Sequence, residues 1–216
     1  MSTPYAAGAR AVLLDALGTL VELEPPWVHL GRALGARPDE RLVRAVRAEM
    51  AYYKDHSHEG RDASSLGDLR GRCAAVLSRE LGREISVETM MASIRFRAYA
   101  DAAPALAELR GLGLRLVCAS NWDVSLPHVL ARCGLDGTLD AVVTSAEVGA
   151  RKPDPAIFAA ALERAGCQSG EAIYVGDTPE EDLDGARAAG LRALLIDRKG
   201  GADIDSLHAI RHHLGL

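Results

Sequence analysis

The sequence predicts an α/β protein: a doubly wound parallel sheet with an α-helical segment inserted after the first strand. Three observations predict it. From about residue 100 onward, short apolar runs alternate with helical patterns, as strands do in a parallel sheet covered on both faces. Residues from about Trp27 to Tyr99 show helical spacing throughout, with no β-rich run. Several apolar runs stop at polar or acidic residues, and open α/β sheets place their ligands at the carboxyl ends of the strands.

The first strand is Val12-Leu13-Leu14, which runs into Asp15 and is followed by Gly18-Thr19-Leu20. A short apolar run closed by a turn signal reads as a buried strand. Gly18 lets the backbone bend and approach a bound group. Glu24-Pro25-Pro26 marks a break. In the insert, Leu42, Val43, Val46 and Met50 recur at helical spacing, as do Cys73, Val76, Leu77 and Leu81. Gly35-Ala36-Arg37-Pro38, His58-Glu59-Gly60 and Gly82-Arg83 separate about four helices. Leu42, Val46 and Met50 are most simply the insert's own core.

The second half continues as helix Ala103 to Leu112, strand Leu114 to Ala119, helix Ser125 to Cys133 and strand Ala141 to Thr144. Asp154-Pro155 reads as an N-cap followed by proline at the first helical position, opening a helix to Ala165. A strand from Ala172 to Val175 stops at Gly176-Asp177. Thr178-Pro179-Glu180-Glu181 fits a capping box whose helix ends at Gly190. A strand from Ala193 to Ile196 and a closing helix from Ile204 to Leu214 complete the chain. The expected division is a core of residues 1–24 and 100–216 with a helical insert of residues 25–99.

Composition narrows the function classes. Of 216 residues, 48% are apolar, enough for one sizeable core with an insert. A net charge of -5 points away from nucleic acid and anionic membranes as partners. No apolar run approaches the roughly 20 residues of a membrane span, and the N-terminus lacks the pattern of a secretion signal. Cys73, Cys118, Cys133 and Cys167 form no C-x-x-C pair and read as isolated thiols in a reducing compartment. A cytoplasmic protein acting on a small molecule is expected. Apolar insert surface could pair two chains, so monomer and homodimer both remain open. Only Lys54, Lys152 and Lys199 are lysine; elsewhere the basic residue is arginine.

The strand ends carry the chemistry. Asp15 with Thr19, Ser120 with Asn121, and Gly176-Asp177 would meet at one sheet edge, together with Lys152 from the loop after another strand. Carboxylates close together repel, and a hard dication such as Mg²⁺ relieves that with oxygen ligands. Lys152 and the hydroxyls of Thr19 and Ser120 would hold phosphoryl oxygens. Asp15 would be either a metal ligand only or a covalent nucleophile. Asn121 would either hydrogen-bond the substrate or cap the helix that follows. Trp122 and Asp123 would either line a cleft or be a packed Trp and a surface Asp. Glu180 and Glu181 fit a helix's first turn, where its dipole favours acids.

This set, Asp15-x-x-Gly18-Thr19-Leu20, Ser120-Asn121, Lys152-Pro153 and Gly176-Asp177-x-x-x-x-Asp182, resembles the haloacid dehalogenase-like hydrolase superfamily across essentially the whole chain. The resemblance implies a Rossmann-like core and identifies the insert as a mobile cap that selects the substrate. It implies that Asp15 attacks the substrate to form a covalent aspartyl intermediate, and that Thr19, Ser120 and Lys152 orient the group and neutralise charge. Gly18 and Asn121 would lie against the substrate. Asp15, the backbone carbonyl of Leu17, Asp177 and Asp182 would hold Mg²⁺.

Position 17 departs from that pattern, since most of the superfamily's phosphatases carry a second Asp there as general acid and base. Such help is worth roughly 10²–10⁴ in rate. Three readings follow: a Mg²⁺-dependent phosphatase without its usual acid, which is favoured; a 2-haloacid dehalogenase, whose halide leaves unprotonated; or a binding or regulatory protein. His56 and His58 are candidate substitutes for the acid, against the simpler reading of a solvated helix end.

Overall fold

The computed structural model describes residues 8–214; residues 1–7 and 215–216, the two extremities of the expected core, lie outside the described residues. Among the described residues, a five-stranded sheet is formed by β1 (Ala11–Leu14), β4 (Arg115–Ser120), β5 (Ala141–Thr144), β6 (Ala172–Gly176) and β7 (Arg192–Leu195). The strand order is β5-β4-β1-β6-β7, and every pairing is parallel. β1 is therefore central and buried along its whole length.

Side chains alternate across the sheet as the two-residue period requires. Val12, Leu14, Leu116, Cys118, Ile173 and Val175 face a cluster completed by α5 (Ala102–Gly111), α6 (Leu126–Arg132) and α10 (Ile210–His213). Ala11, Leu13, Val117, Ala119 and Tyr174 face the opposite cluster, covered by α8 (Pro155–Ala165) and α9 (Gly185–Ala188). The doubly wound arrangement is thus present, with the central strands buried on both faces. Among the described residues, no helix is long and apolar enough to cross a membrane.

The insert holds α1 (Pro26–Ala33), α2 (Glu40–His56), α3 (Ala63–Leu81) and α4 (Val87–Ser93). Leu30, Leu42, Val46, Leu69, Cys73, Leu77 and Met90 gather into a core of their own, with Met50 and Leu81 partly buried at its margin. The helix ends follow local chemistry: Asp39 caps α2, Asp62 and Ser65 form a capping box on α3, and Gly82 ends α3 with a φ of 63°, a left-handed turn that glycine adopts freely.

Three local expectations are corrected. The stretch to Tyr99 is not helical throughout, because β3 (Phe96–Ala98) pairs antiparallel with β2 (Val21–Leu23). Three residues are too few to show a two-residue period. Thr178 makes no side-chain cap; Asp182 Oδ2 takes its amide instead, at 2.9 Å, and Pro179–Asp184 winds as a π-helical turn before α9. The closing segment is not one helix from Ile204. Ile204 pairs beside the end of β7, exchanging backbone hydrogen bonds with Leu195 and Asp197 at 3.2 and 3.0 Å, so helix starts only with a 3-10 turn at Leu207–Ala209 and continues into α10.

Candidate active site

Strand register brings the site residues together. Leu14 lies level with Cys118 and Val175. Asp15 is one residue past that level, while Ser120 and Asp177 are two residues past it. The Asp15 amide donates to the Val175 carbonyl at 2.9 Å, extending the ladder one step and fixing where the side chain emerges. Lys152 arrives from the loop between α7 (Ser145–Val148) and α8.

The ionic centre is buried and fully cross-bonded. Lys152 Nζ donates to Asp15 Oδ1 and to Asp182 Oδ1, each at 2.5 Å, and to the Tyr174 hydroxyl at 2.9 Å. That hydroxyl lies 2.9 Å from Asp182 Oδ1 and 3.1 Å from the Ala119 carbonyl, either of which can take its one proton. Asp15, Lys152 and Asp182 are all nearly inaccessible. Burial pushes the Asp15 carboxyl up to about 7, against the pull of the neighbouring ammonium. Burial alone would drive Lys152 toward neutrality, but Asp15 and Asp182 outweigh it and hold its proton more tightly than an exposed lysine does. Lys152 is thereby the fixed cation of the centre, while Asp15 binds a proton more tightly than an exposed carboxylate does despite it.

Asp177 stands at the rim with its side chain exposed on one side, and the partial loss of water around its carboxyl, with the nearby Asp182 charge, raises its affinity for a proton. One oxygen each from Asp15, Asp177 and Asp182 fall within 4.8 Å of one another. Three carboxylates and one ammonium leave an excess of two negative charges, which a divalent cation with oxygen ligands would neutralise. Asp182 is the least free of the three: Oδ1 takes Lys152 and Tyr174, and Oδ2 takes the Thr178 amide. No described hydrogen bond ends on the Leu17 carbonyl, so that oxygen stays available, while the Leu17 side chain is 38% exposed. The donor set fits a hard divalent ion.

Gly18 has two reasons to be glycine. Its φ is 84°, and a Cβ there would lie 2.0 Å from Asp177 Oδ2. Thr19 is fully buried, and its hydroxyl has no partner among the described residues. Its carbonyl receives Arg198 Nη2, whose other terminal nitrogen pairs with Asp101 at 2.6 Å. Ser120 closes β4 and is buried. Beside Asp177 opens a cleft of about 380 Å³ lined by Gly18, Tyr99, Arg198 and Lys199 among others, of a size that takes a small ligand.

Not every candidate joins the centre. Asn121 faces Lys152's main chain: its Oδ1 accepts the Lys152 amide at 2.7 Å and its Nδ2 donates to the Lys152 carbonyl at 3.1 Å. The expected helix cap is absent too, since α6 starts after Ser125. His56 stacks on Tyr52 with ring centroids 4.1 Å apart, and its Nδ1 meets the Tyr52 carbonyl, so its described partners lie within the insert. Asp123 is not a surface acid; it is buried and accepts the Tyr53 hydroxyl at 2.8 Å. Trp122 is packed, tilted against Phe96. Sequence reasoning missed Tyr174 and Arg198. A tyrosine inside a fully buried strand was the available signal for the first, because its hydroxyl must find a partner; nothing in the sequence marked the second.

An acid bound to a lysine at the carboxyl edge of a doubly wound sheet is placed to attack an electrophilic group held by the lysine. Residues 9–190 match the haloacid dehalogenase-like hydrolase family, and the chain belongs to it. It is 39% identical over 120 residues to phosphoserine phosphatase from Thermus thermophilus, a match covering 55% of this chain and 48% of that one, so the chain spans about half the length of that relative. Its fold superposes on the HAD phosphatase from Thermococcus onnurineus with a TM-score of 0.68 at 27% identity, covering 95% of this chain and 98% of the other. The L-2-haloacid dehalogenase from Xanthobacter autotrophicus, solved with chloropropionic acid covalently bound, shares the fold with a TM-score of 0.70 at 22% identity over 94% of this chain and 97% of that one.

Proposed function

We propose that the chain is a Mg²⁺-dependent phosphatase of a small phosphorylated compound, acting through an aspartyl-phosphate on Asp15, in the cytoplasm. The observation that carries this reading is the convergence of Asp15, Asp177 and Asp182 within 4.8 Å around a single buried lysine. Asp15, Asp177 and the Leu17 carbonyl would hold the ion directly, with Asp182 anchoring Lys152. When bound, the ion would offset the charge of the phosphoryl oxygens. The similarity to named phosphatases supports the same chemistry.

In the first step an Asp15 oxygen attacks phosphorus and the ester P–O bond breaks. The leaving oxygen departs as an anion and takes its proton from solvent. In the second, water attacks phosphorus, the acyl-phosphate P–O bond breaks to regenerate the Asp15 carboxylate, and dihydrogen phosphate leaves with the water's oxygen and both its protons, one of which then passes to solvent. Lys152 opposes the protonation that burial favours on Asp15, and it balances charge gathering on the phosphoryl group. Leu17 transfers no proton, so leaving groups that depart unprotonated are the ones this site serves. The helical insert, residues 25–99, would cap the site and select the substrate, and the four free thiols fit a reducing compartment.

Hydrolysis of an activated aryl phosphate, with and without Mg²⁺, beside Asp15→Asn and Leu17→Asp, tests this. The expected result is Mg²⁺-dependent turnover that Asp15→Asn abolishes and Leu17→Asp raises, the latter by up to roughly 10²-fold for poor leaving groups. Silence from both wild type and Leu17→Asp would end the phosphatase reading. Leu17 itself favours a second reading, carbon–halogen hydrolysis of a 2-haloacid, in which the leaving halide needs no acid. Halide release unaffected by a chelator would establish that alternative.

A further inference from the structure

Three consecutive residues at the end of α2 meet three different loops of the core. The Tyr53 hydroxyl donates to Asp123, after β4, at 2.8 Å. Lys54 Nζ pairs with Glu181 Oε1, in the π-helical turn, at 3.0 Å. The Asp55 carbonyl accepts Arg151 Nη1, one residue before Lys152, at 3.0 Å. Of these, the middle contact does not stop at its partner. Glu181 Oε2 takes Asn121 Nδ2 at 3.1 Å, and Asn121 clamps the Lys152 main chain at both its amide and its carbonyl. A continuous polar path therefore runs from the insert, through Lys54, Glu181 and Asn121, to the residue whose ammonium holds Asp15 and Asp182 at 2.5 Å each.

We infer that Lys54, Glu181 and Asn121 are positioning residues for Lys152, so that the seating of the insert on the core sets the geometry of the charged centre. As an isolated pair, Lys54 and Glu181 would matter little: their side chains are 58% and 23% exposed, and exposed ion pairs contribute at most about a factor of five. Position gives this one its effect. Glu181 has one oxygen for each side of the boundary, and Asn121 has no hydrogen-bonding atom in this set that is not spent on Lys152 or Glu181. A displacement on the order of 1 Å at a reacting group is costly in rate, and the lysine stem starts from the main chain that Asn121 fixes. The consequence for turnover rests on the phosphatase reading; the consequence for the Lys152 main chain does not.

The test therefore has two readouts. Wild type, Lys54→Ala, Lys54→Arg, Glu181→Gln and the Lys54→Ala/Glu181→Gln double variant are compared by amide hydrogen exchange of the 150–154 segment. The same proteins are compared by kcat and KM for an aryl phosphate with Mg²⁺. Lys54→Ala and Glu181→Gln should each speed exchange in that segment and lower kcat by about 10-fold, more than an isolated exposed pair would account for, with KM little changed. The double variant should be no worse than either single one, and Lys54→Arg should stay near wild type. Unchanged exchange in Lys54→Ala overturns the inference, whatever kcat does. Faster exchange with unchanged kcat overturns it as well, because the lysine would then act equally well from a loosened main chain. Wild-type protein that turns over no aryl phosphate defeats the phosphatase reading instead, and the exchange arm then judges the path alone.

Discussion

The core and the insert each bury a carboxylate, and they treat it differently. In the core, Asp15 and Asp182 share the Lys152 ammonium, a tyrosine hydroxyl and a backbone amide. In the insert, Glu49 is 5% exposed, and burial raises its carboxyl with only the Cys73 thiol lending a hydrogen bond against that rise. The same burial pushes that thiol up to about 12. Taking charge out of water is expensive unless it is paired and hydrogen-bonded. Burial raises the proton affinity of both Asp15 and Glu49; the difference is that the core opposes that rise with an ammonium, whereas the insert offers its acid a thiol.

Removing the core's cation should break the comparison most sharply. Lys152→Met keeps the length of the side chain and leaves two acids facing each other, so metal-free protein should lose roughly 3–5 kcal/mol of stability in denaturant titration. Turnover of an aryl phosphate should fall by about 10²–10³. A variant as stable as wild type would show that the centre is not held by charge pairing. Gly18→Ala should be the next largest effect. The added methyl group has no room beside Asp177 and the residue's φ is positive, so Mg²⁺ affinity measured calorimetrically should fall by at least about tenfold, at a stability cost of about 1 kcal/mol or more.

Tyr53→Phe probes the boundary between the two regions. It deletes the hydrogen bond to buried Asp123 and should cost about 1–2 kcal/mol in thermal unfolding. Glu49→Gln should have the smallest effect, within about 1 kcal/mol at pH 5, but it should change a slope. Because the folded protein holds the Glu49 proton more tightly than the unfolded chain, wild-type stability should decline as pH rises above the ordinary carboxyl value of 4.5. The Gln variant should lack that part of the decline. Equal slopes in the two proteins would mean that Glu49 is ionised in the folded insert.

The parts of the site that sequence exposed were those tied to strand ends. Asp15, Ser120 and Asp177 each close an apolar run, and a parallel sheet brings such ends together whatever lies between them. Asp154 was legible as a cap because its chemistry is local, and its side chain does accept the Ala156 amide at 2.9 Å. Tyr174 and Glu181 were not legible in their roles, since each acts through partners far along the chain: Tyr174 touches Ala119 and Lys152, and Glu181 touches Lys54 and Asn121. Asp182 was expected beside Asp15 and Asp177, and its carboxyl does lie near theirs, but its reach back to the Thr178 amide depended on a π-helical turn, which the pattern Thr178-Pro179-Glu180-Glu181 did not distinguish from an ordinary capped helix.

The short ribbon of β2 and β3 bears on how such a molecule can change over evolutionary time. The chain leaves the core at Val21–Leu23 and returns at Phe96–Ala98, and these segments lie side by side in register. Everything between them is therefore a loop closed at its neck, with its own apolar core. A segment bounded in this way can be lengthened, shortened or exchanged for another without altering the sheet that carries Asp15. The ribbon is accordingly a graft point: transplanting residues 24–95 into a relative cut at the same place would transfer the insert as a unit and leave the recipient's sheet undisturbed.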